Sequence, residues 1–173
     1  MAGGPIRRRA EPRRSHPLAG FHFRNGNTTP IRKGGSTGIV GSFGMTRDGG
    51  LKMHRRVDLL SVVGGPVYAM HDGTIYRGGW ENRHVRHQGY GLRVYVVDET
   101  NDIHSRYAHL LELTVDNGDT VAAGQQIAVV GRTGNIMTND DIPTHIHVEF
   151  RTGAGYGPDT TPIDPLSWLE YMS

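Results

Sequence analysis

Apolar and polar positions alternate in short runs through the middle of the chain. Leu92, Val94 and Val96 take one side of a run whose other side is Arg93, Tyr95 and Val97, and this period of two predicts a half-buried strand. His145 to Phe150 alternates as strictly. Ile146, Val148 and Phe150 face a core there, and His145, His147 and Glu149 share the opposite face. A third run places Ile103, Ser105, Tyr107 and His109 on one side. Further β-branched or aromatic runs cover 66–70, 73–76 and 126–130, separated by Asp-Gly, Gly-Gly, Asn-Gly and Thr-Gly steps. Asn-Gly and Ala-Ala-Gly turns on either side of Val121 make 116–124 a tight connection between strands. One helix is predicted. It is short, starts near Pro165 with Asp164 as N-cap, and carries Leu166, Trp168 and Leu169.

Composition agrees with a mainly β chain. Its 173 residues suffice for one domain with its own core, and 25 Gly, 9 Pro and 36% hydrophobic residues favour many short elements over long helices. Residues 1–16 read as a flexible basic leader holding Arg7, Arg8, Arg9, Arg13 and Arg14, and 17–173 as the domain. A leader of this kind can touch nucleic acid, anionic wall polymers or a membrane surface. The net charge of only +2 gives no global field of the sort that drives nucleic-acid binding. No run approaches the ~18 apolar residues of a membrane span, and no apolar run follows the N-terminal charges, so no Sec-type signal is visible in this chain.

Cysteine is absent, which excludes disulfides, thiolate zinc sites and a Cys nucleophile. Any metal therefore sits on imidazoles and carboxylates. The chain has 10 His, and their arrangement is more telling than their number. On a strand, His145 and His147 project side by side, where one ring can bind a cation while its neighbour moves protons. An exposed polar face is the alternative reading of that pair. His54-Arg55-Arg56-Val57-Asp58 adds an imidazole and a carboxylate that a turn or strand entry can bring to a common ion. Together with His147 they form a two-His, one-carboxylate set that suits zinc and leaves a fourth position for water. His109, in Tyr107-Ala108-His109-Leu110, reads by itself as a strand-end histidine bonded to a loop.

Taken in order, these segments resemble the lysostaphin-type (LytM-like) zinc endopeptidases that act on peptidoglycan. The similarity covers roughly residues 38–150. It begins at Ser42-Phe43-Gly44 with Arg47, passes through His54-x-x-x-Asp58-Leu59, Gly65-Pro66-Val67-Tyr68-Ala69 and Asp72-Gly73-Thr74-Ile75, and continues with Gly89-Tyr90-Gly91 and Tyr107-Ala108-His109-Leu110. Gly118-Asp119-Thr120-Val121, Gly124-Gln125-Gln126-Ile127, Gly131-Arg132-Thr133-Gly134 and His145-Ile146-His147-Val148-Glu149 complete it. The resemblance implies a single-domain antiparallel β-sheet with a substrate groove walled by loops. It also implies zinc on His54, Asp58 and His147, with His109 and His145 as the catalytic pair. Three departures stand out. Arg56 occupies a position where the family usually has Gly, Ile146 and Val148 replace the commoner Leu and Phe, and 135–144, with Asp140 and Asp141, is longer and more acidic than usual.

The function this implies is hydrolysis of peptide bonds in bacterial peptidoglycan, in a cross-link or a stem peptide. A metal-activated water would attack a zinc-polarised carbonyl, with one catalytic histidine as base and the other stabilising the oxyanion or protonating the amine. Glu149 could orient a neighbouring histidine. His84 and His87 read as surface residues, and Tyr90 and Tyr107 as packing or groove-wall residues. Such an enzyme acts in the periplasm or the extracellular wall, released by phage lysis, a secretion machine or processing, and an antibacterial effector of this type would need an immunity or inhibitor protein. Two rival readings are a non-catalytic zinc-binding relative that binds cell wall and activates another hydrolase, and a nucleic-acid-binding β-domain served by the basic leader.

Overall fold

A computed structural model describes residues 39–47, 50, 52–153 and 160–165. The basic leader and the predicted helix beyond Pro165 lie outside the described residues, although Pro165 itself is helical.

Twelve strands occur among the described residues: β1 (Ile39–Gly41), β2 (Gly44–Arg47), β3 (Lys52–His54), β4 (Val57–Leu60), β5 (Pro66–Tyr68), β6 (Gly73–Trp80), β7 (Leu92–Asp98), β8 (Ile103–Leu113), β9 (Thr120–Val121), β10 (Gln126–Val130), β11 (His145–Thr152) and β12 (Thr161–Ile163). Ten of them form one sheet in the order β1-β4-β11-β8-β7-β6-β9, with β10 bridging β5 and β8 and β12 beside β11. β2 and β3 pair separately. Every pairing is antiparallel. The predicted runs thus all appear as strands, several extended by two or more residues.

One face of the sheet is the apolar core. Ile146, Val148, Phe150, Tyr107, Val94, Val96, Ile75 and Ile127 are all essentially inaccessible. Removing such a side chain from water stabilises the fold by about 1.5–3 kcal/mol. Tyr107 also carries a polar atom into this layer. Its Oη accepts from the Met70 amide at 2.9 Å, and Ser105 Oγ lies 3.2 Å away and 2.8 Å from Nε2 of His71. Burial pushes the Tyr107 phenol up to about 12, so it remains neutral.

The other face departs from the half-buried expectation for β7. Arg93 and Tyr95 are buried as well as Leu92, Val94 and Val96. The cover is the 81–91 loop between β6 and β7. Glu81 pairs with Arg93 at 2.9 Å, and Tyr90 stacks under the Arg106 guanidinium, 3.7 Å from ring centre to carbon. Period two separates the faces of a strand but does not say what covers the second one.

The alternation expected for β8 also breaks. Tyr107 lies opposite Val148 and Ser105 opposite Phe150, so both face the core, and strict alternation would send His109 there too. Instead His109 adopts φ 64°, and β8 advances three positions, from Tyr107 to Leu110, while β7 advances two, from Val94 to Leu92. This bulge turns His109 to the face that carries His145 and His147.

Candidate metal centre

Register places the site. Gly41 of β1 lies opposite Asp58 of β4, Asp58 opposite His147 of β11, and His147 opposite Ala108 of β8. Asp58 and His147 are therefore directly facing cross-strand neighbours, flanked on both sides by residues with almost no side chain. Oδ1 of Asp58 is 3.6 Å from Nδ1 of His147 and 4.0 Å from Nε2 of His145, while Oδ2 is 3.3 Å from Nε2 of His54. His109 joins them, with ring centroids 5.1 Å from His145 and 5.9 Å from His147. All five side chains are buried. The structure thus brings together every site residue singled out from the sequence.

Three of the four imidazoles are oriented in the same way. Nδ1 of His54 lies 2.7 Å from the Ser42 carbonyl, Nδ1 of His109 2.8 Å from that of Thr133, and Nδ1 of His145 2.9 Å from that of Pro143. A carbonyl oxygen only accepts, so each Nδ1 carries a proton and each neutral ring keeps its lone pair on Nε2. His147 is turned the other way. Its Nδ1 faces Asp58 and its Nε2 faces Glu149 Oε2 at 3.7 Å, and neither nitrogen makes a hydrogen bond.

Charge follows from burial. Desolvation lowers the His147 proton affinity well below the ordinary imidazole range, and the Arg56 and Arg106 cations push the same way. Burial, with the His145 charge next, lowers His109 to about 4. For Asp58, burial alone would raise the carboxyl, but its close contact with His54 and the charges of His145 and Arg56 hold it below its usual value. At neutral pH the cluster therefore holds one carboxylate beside neutral His109 and His147.

Among the described residues, no three His, Asp or Glu side chains form a ready-closed coordination shell. Nε2 of His54 instead accepts from Nε of Arg56 at 2.7 Å. The donor types still fit zinc: two imidazoles, His54 and His147, and one ionised carboxylate, with His147 a buried ring that makes no hydrogen bond. A buried imidazole in that condition carries a desolvation cost that a bound cation would offset.

Several contributors escaped the sequence reading. A Cβ on Gly41 would lie 2.6 Å from Asp58 Oδ2 and 2.9 Å from His54 Cε1, so the centre needs glycine there. Arg106, opposite Glu149 in the ladder, pairs with its carboxylate, and Arg151 pairs with it from the side. The available signal was the alternation that places Glu149 on the histidine face, since a buried carboxylate there requires cations. Arg132 donates to the carbonyls of Ile136, Asn139 and Ile142 and to Thr144 Oγ1 at 2.9–3.2 Å, tying down the loop that enters β11 at His145. His84 and His87 are exposed, as expected of surface residues.

Residues 52–165 match Peptidase family M23. Glycyl-glycine endopeptidase ALE-1 of Staphylococcus capitis is 34% identical over 118 residues, covering 68% of this chain and 29% of that protein. The catalytic domain of lysostaphin from Staphylococcus simulans superposes with a TM-score of 0.63 at 28% identity, over 77% of this chain and 92% of that domain. A zinc-containing peptidase from Vibrio cholerae gives a TM-score of 0.58 at 25% identity, over 82% of this chain and 41% of that one. The chain thus spans less than a third of the length of the ALE-1 protein and nearly all of the lysostaphin catalytic domain.

Proposed function

The chain belongs to peptidase family M23, and on that premise we propose that it is a zinc-dependent endopeptidase that hydrolyses peptide bonds of bacterial peptidoglycan. His54, Asp58 and His147 would hold the metal, with His109 and His145 as the catalytic pair. The observation that carries this reading is the convergence of four buried imidazoles on one buried carboxylate, in a domain similar to the catalytic domain of a peptidase.

Zinc, when bound, supplies Lewis-acid polarisation of the scissile carbonyl and makes water a nucleophile near neutral pH. The chain's residues do the rest. His109, neutral and with Nε2 as its open acceptor, takes the proton of the attacking water. His145, whose Nδ1 is likewise committed to a carbonyl, presents Nε2 on the other side; in its protonated form that atom donates to the developing oxyanion or the departing amine. Glu149, held by Arg106 and Arg151, faces Nε2 of His147 and keeps Nδ1 of that ring directed at Asp58.

The substrate is a peptide of the wall, and the site of action is the periplasm or the extracellular wall. ALE-1 is named for glycyl-glycine bonds, so a glycine bridge stands beside the direct cross-link and the stem peptide as the bond cut. Zinc-loaded protein and its His109→Ala variant, incubated with sacculi of direct and glycine-bridged types, test this through the fragments released. New peptide ends from the wild type alone support the proposal and name the bond. Stoichiometric zinc with no release from any sacculus would favour a non-catalytic relative that binds cell wall and activates another hydrolase.

A further inference from the structure

Arg56 stands two residues after His54 and turns its side chain back over the site, leaving it only 25% exposed. Its Nε donates to Nε2 of His54 at 2.7 Å and lies 3.7 Å from Asp58 Oδ1, and its guanidinium carbon is 5.9 Å from the centre of the Tyr90 ring. Because the Ser42 carbonyl takes the Nδ1 proton of His54, Nε2 holds the only in-plane lone pair of that ring. One such lone pair serves a hydrogen-bond donor or a metal ion, but not both.

Resting on the zinc reading above, in which His54 coordinates through Nε2, we infer that Arg56 is a built-in competitor for the metal. The guanidinium and the ion draw on the same nitrogen and the same carboxylate, so binding of one expels the other. Arg56 therefore sets the metal affinity of the site below what a donor-free side chain at this position would give. The argument has a steric part, since Nε occupies coordination space beside His54, and an electrostatic part, since a fixed cation beside Asp58 disfavours a second one. Arg56 also stabilises the cluster in the absence of an ion, by partnering a carboxylate that is otherwise buried among imidazoles.

The test compares the 173-residue wild-type chain with Arg56→Met and Arg56→Lys. Met keeps an unbranched stem and removes both donor and charge, whereas Lys keeps the charge and loses the guanidinium Nε–H. Zinc affinity is measured by competition with a chromophoric chelator, and urea midpoints are measured in EDTA and in saturating zinc. The Met variant is expected to bind zinc about tenfold more tightly or better, with Lys between Met and wild type. Its urea midpoint should fall in EDTA but not in zinc, an inversion that a purely structural arginine would not produce. Unchanged or weaker zinc binding by the Met variant overturns the inference, as does an equal loss of midpoint in both media. Failure of all three proteins to take up zinc would overturn the metal reading itself, whereas uptake by all three with equal affinity overturns only the role of Arg56.

Discussion

His109 and His145 meet edge to face, with ring centroids 5.1 Å apart and each Nδ1 bound to a backbone carbonyl. Two imidazoles held in this way keep Nε2 facing the site and have little freedom to turn away. Replacing either with Ala is expected to reduce peptidoglycan hydrolysis by about 100-fold or more, the usual contribution of a positioned acid or base, while zinc is retained. His54→Ala, Asp58→Ala and His147→Ala should instead lose the metal together with activity. Zinc content after dialysis separates the two classes, and full metal loss in His109→Ala would overturn the division of roles.

The backbone of His109 carries its own cost. A φ of 64° is unfavourable for any residue with a Cβ, by roughly 1–2 kcal/mol. His109→Gly is therefore expected to be more stable than His109→Ala by about 1 kcal/mol, although both are inactive. Urea unfolding of the pair measures this difference, and a Gly variant less stable than the Ala variant would show that the site holds no strain at this position.

The strain at His109 also marks where the sequence ceases to be legible. Strands β7, β8 and β11 are readable from their alternation, β5, β6 and β10 from their β-branched or aromatic content, and the pairing of His145 with His147 on one face follows directly from period two. The position of His109 does not, because a single left-handed residue in a bulge reverses the face and nothing in Tyr107-Ala108-His109-Leu110 signals it. Non-local register was equally hidden. That Gly41 stands opposite Asp58, and Arg106 opposite Glu149, depends on which strands pair rather than on any local pattern. The resemblance to known peptidases placed His109 in the site where the alternation would have put it in the core.

Gly41 yields a prediction independent of the histidines. Its φ is not in the left-handed region, so Ala costs the backbone little, yet the added methyl would press on Asp58 Oδ2 and His54 Cε1. Gly41→Ala is expected to keep the sheet, judged by far-ultraviolet circular dichroism, while losing zinc affinity and activity. A variant that binds zinc like wild type would mean that Asp58 can move aside, and that the Gly41–Asp58–His147–Ala108 row is less rigid than its register suggests.

Acid should destabilise this protein earlier than its carboxylates alone would. His71, His109 and His147 are buried, and desolvation lowers the proton affinity of all three, His109 to about 4. An unfolded imidazole titrates near 6.5, so between that value and the lower folded ones the unfolded chain binds more protons, and stability rises with pH. The contribution of these residues is complete above about pH 6.5 and is lost as the pH falls through their lowered folded values, which for His109 is about 4. The lowered Asp58 carboxyl acts in the same direction at still lower pH. Urea midpoints in EDTA at pH 7.5, 6 and 5 should fall in that order. His71→Gln, which alters a group bonded to Ser105 in the core rather than one in the metal cluster, should flatten the fall without abolishing it. Saturating zinc should steepen the dependence, because protons compete for the coordinating nitrogens. A midpoint that holds steady from pH 7.5 to 5 in EDTA would mean that these rings are accessible enough to charge in the folded protein, and that the burial on which the site's electrostatics depend is incomplete.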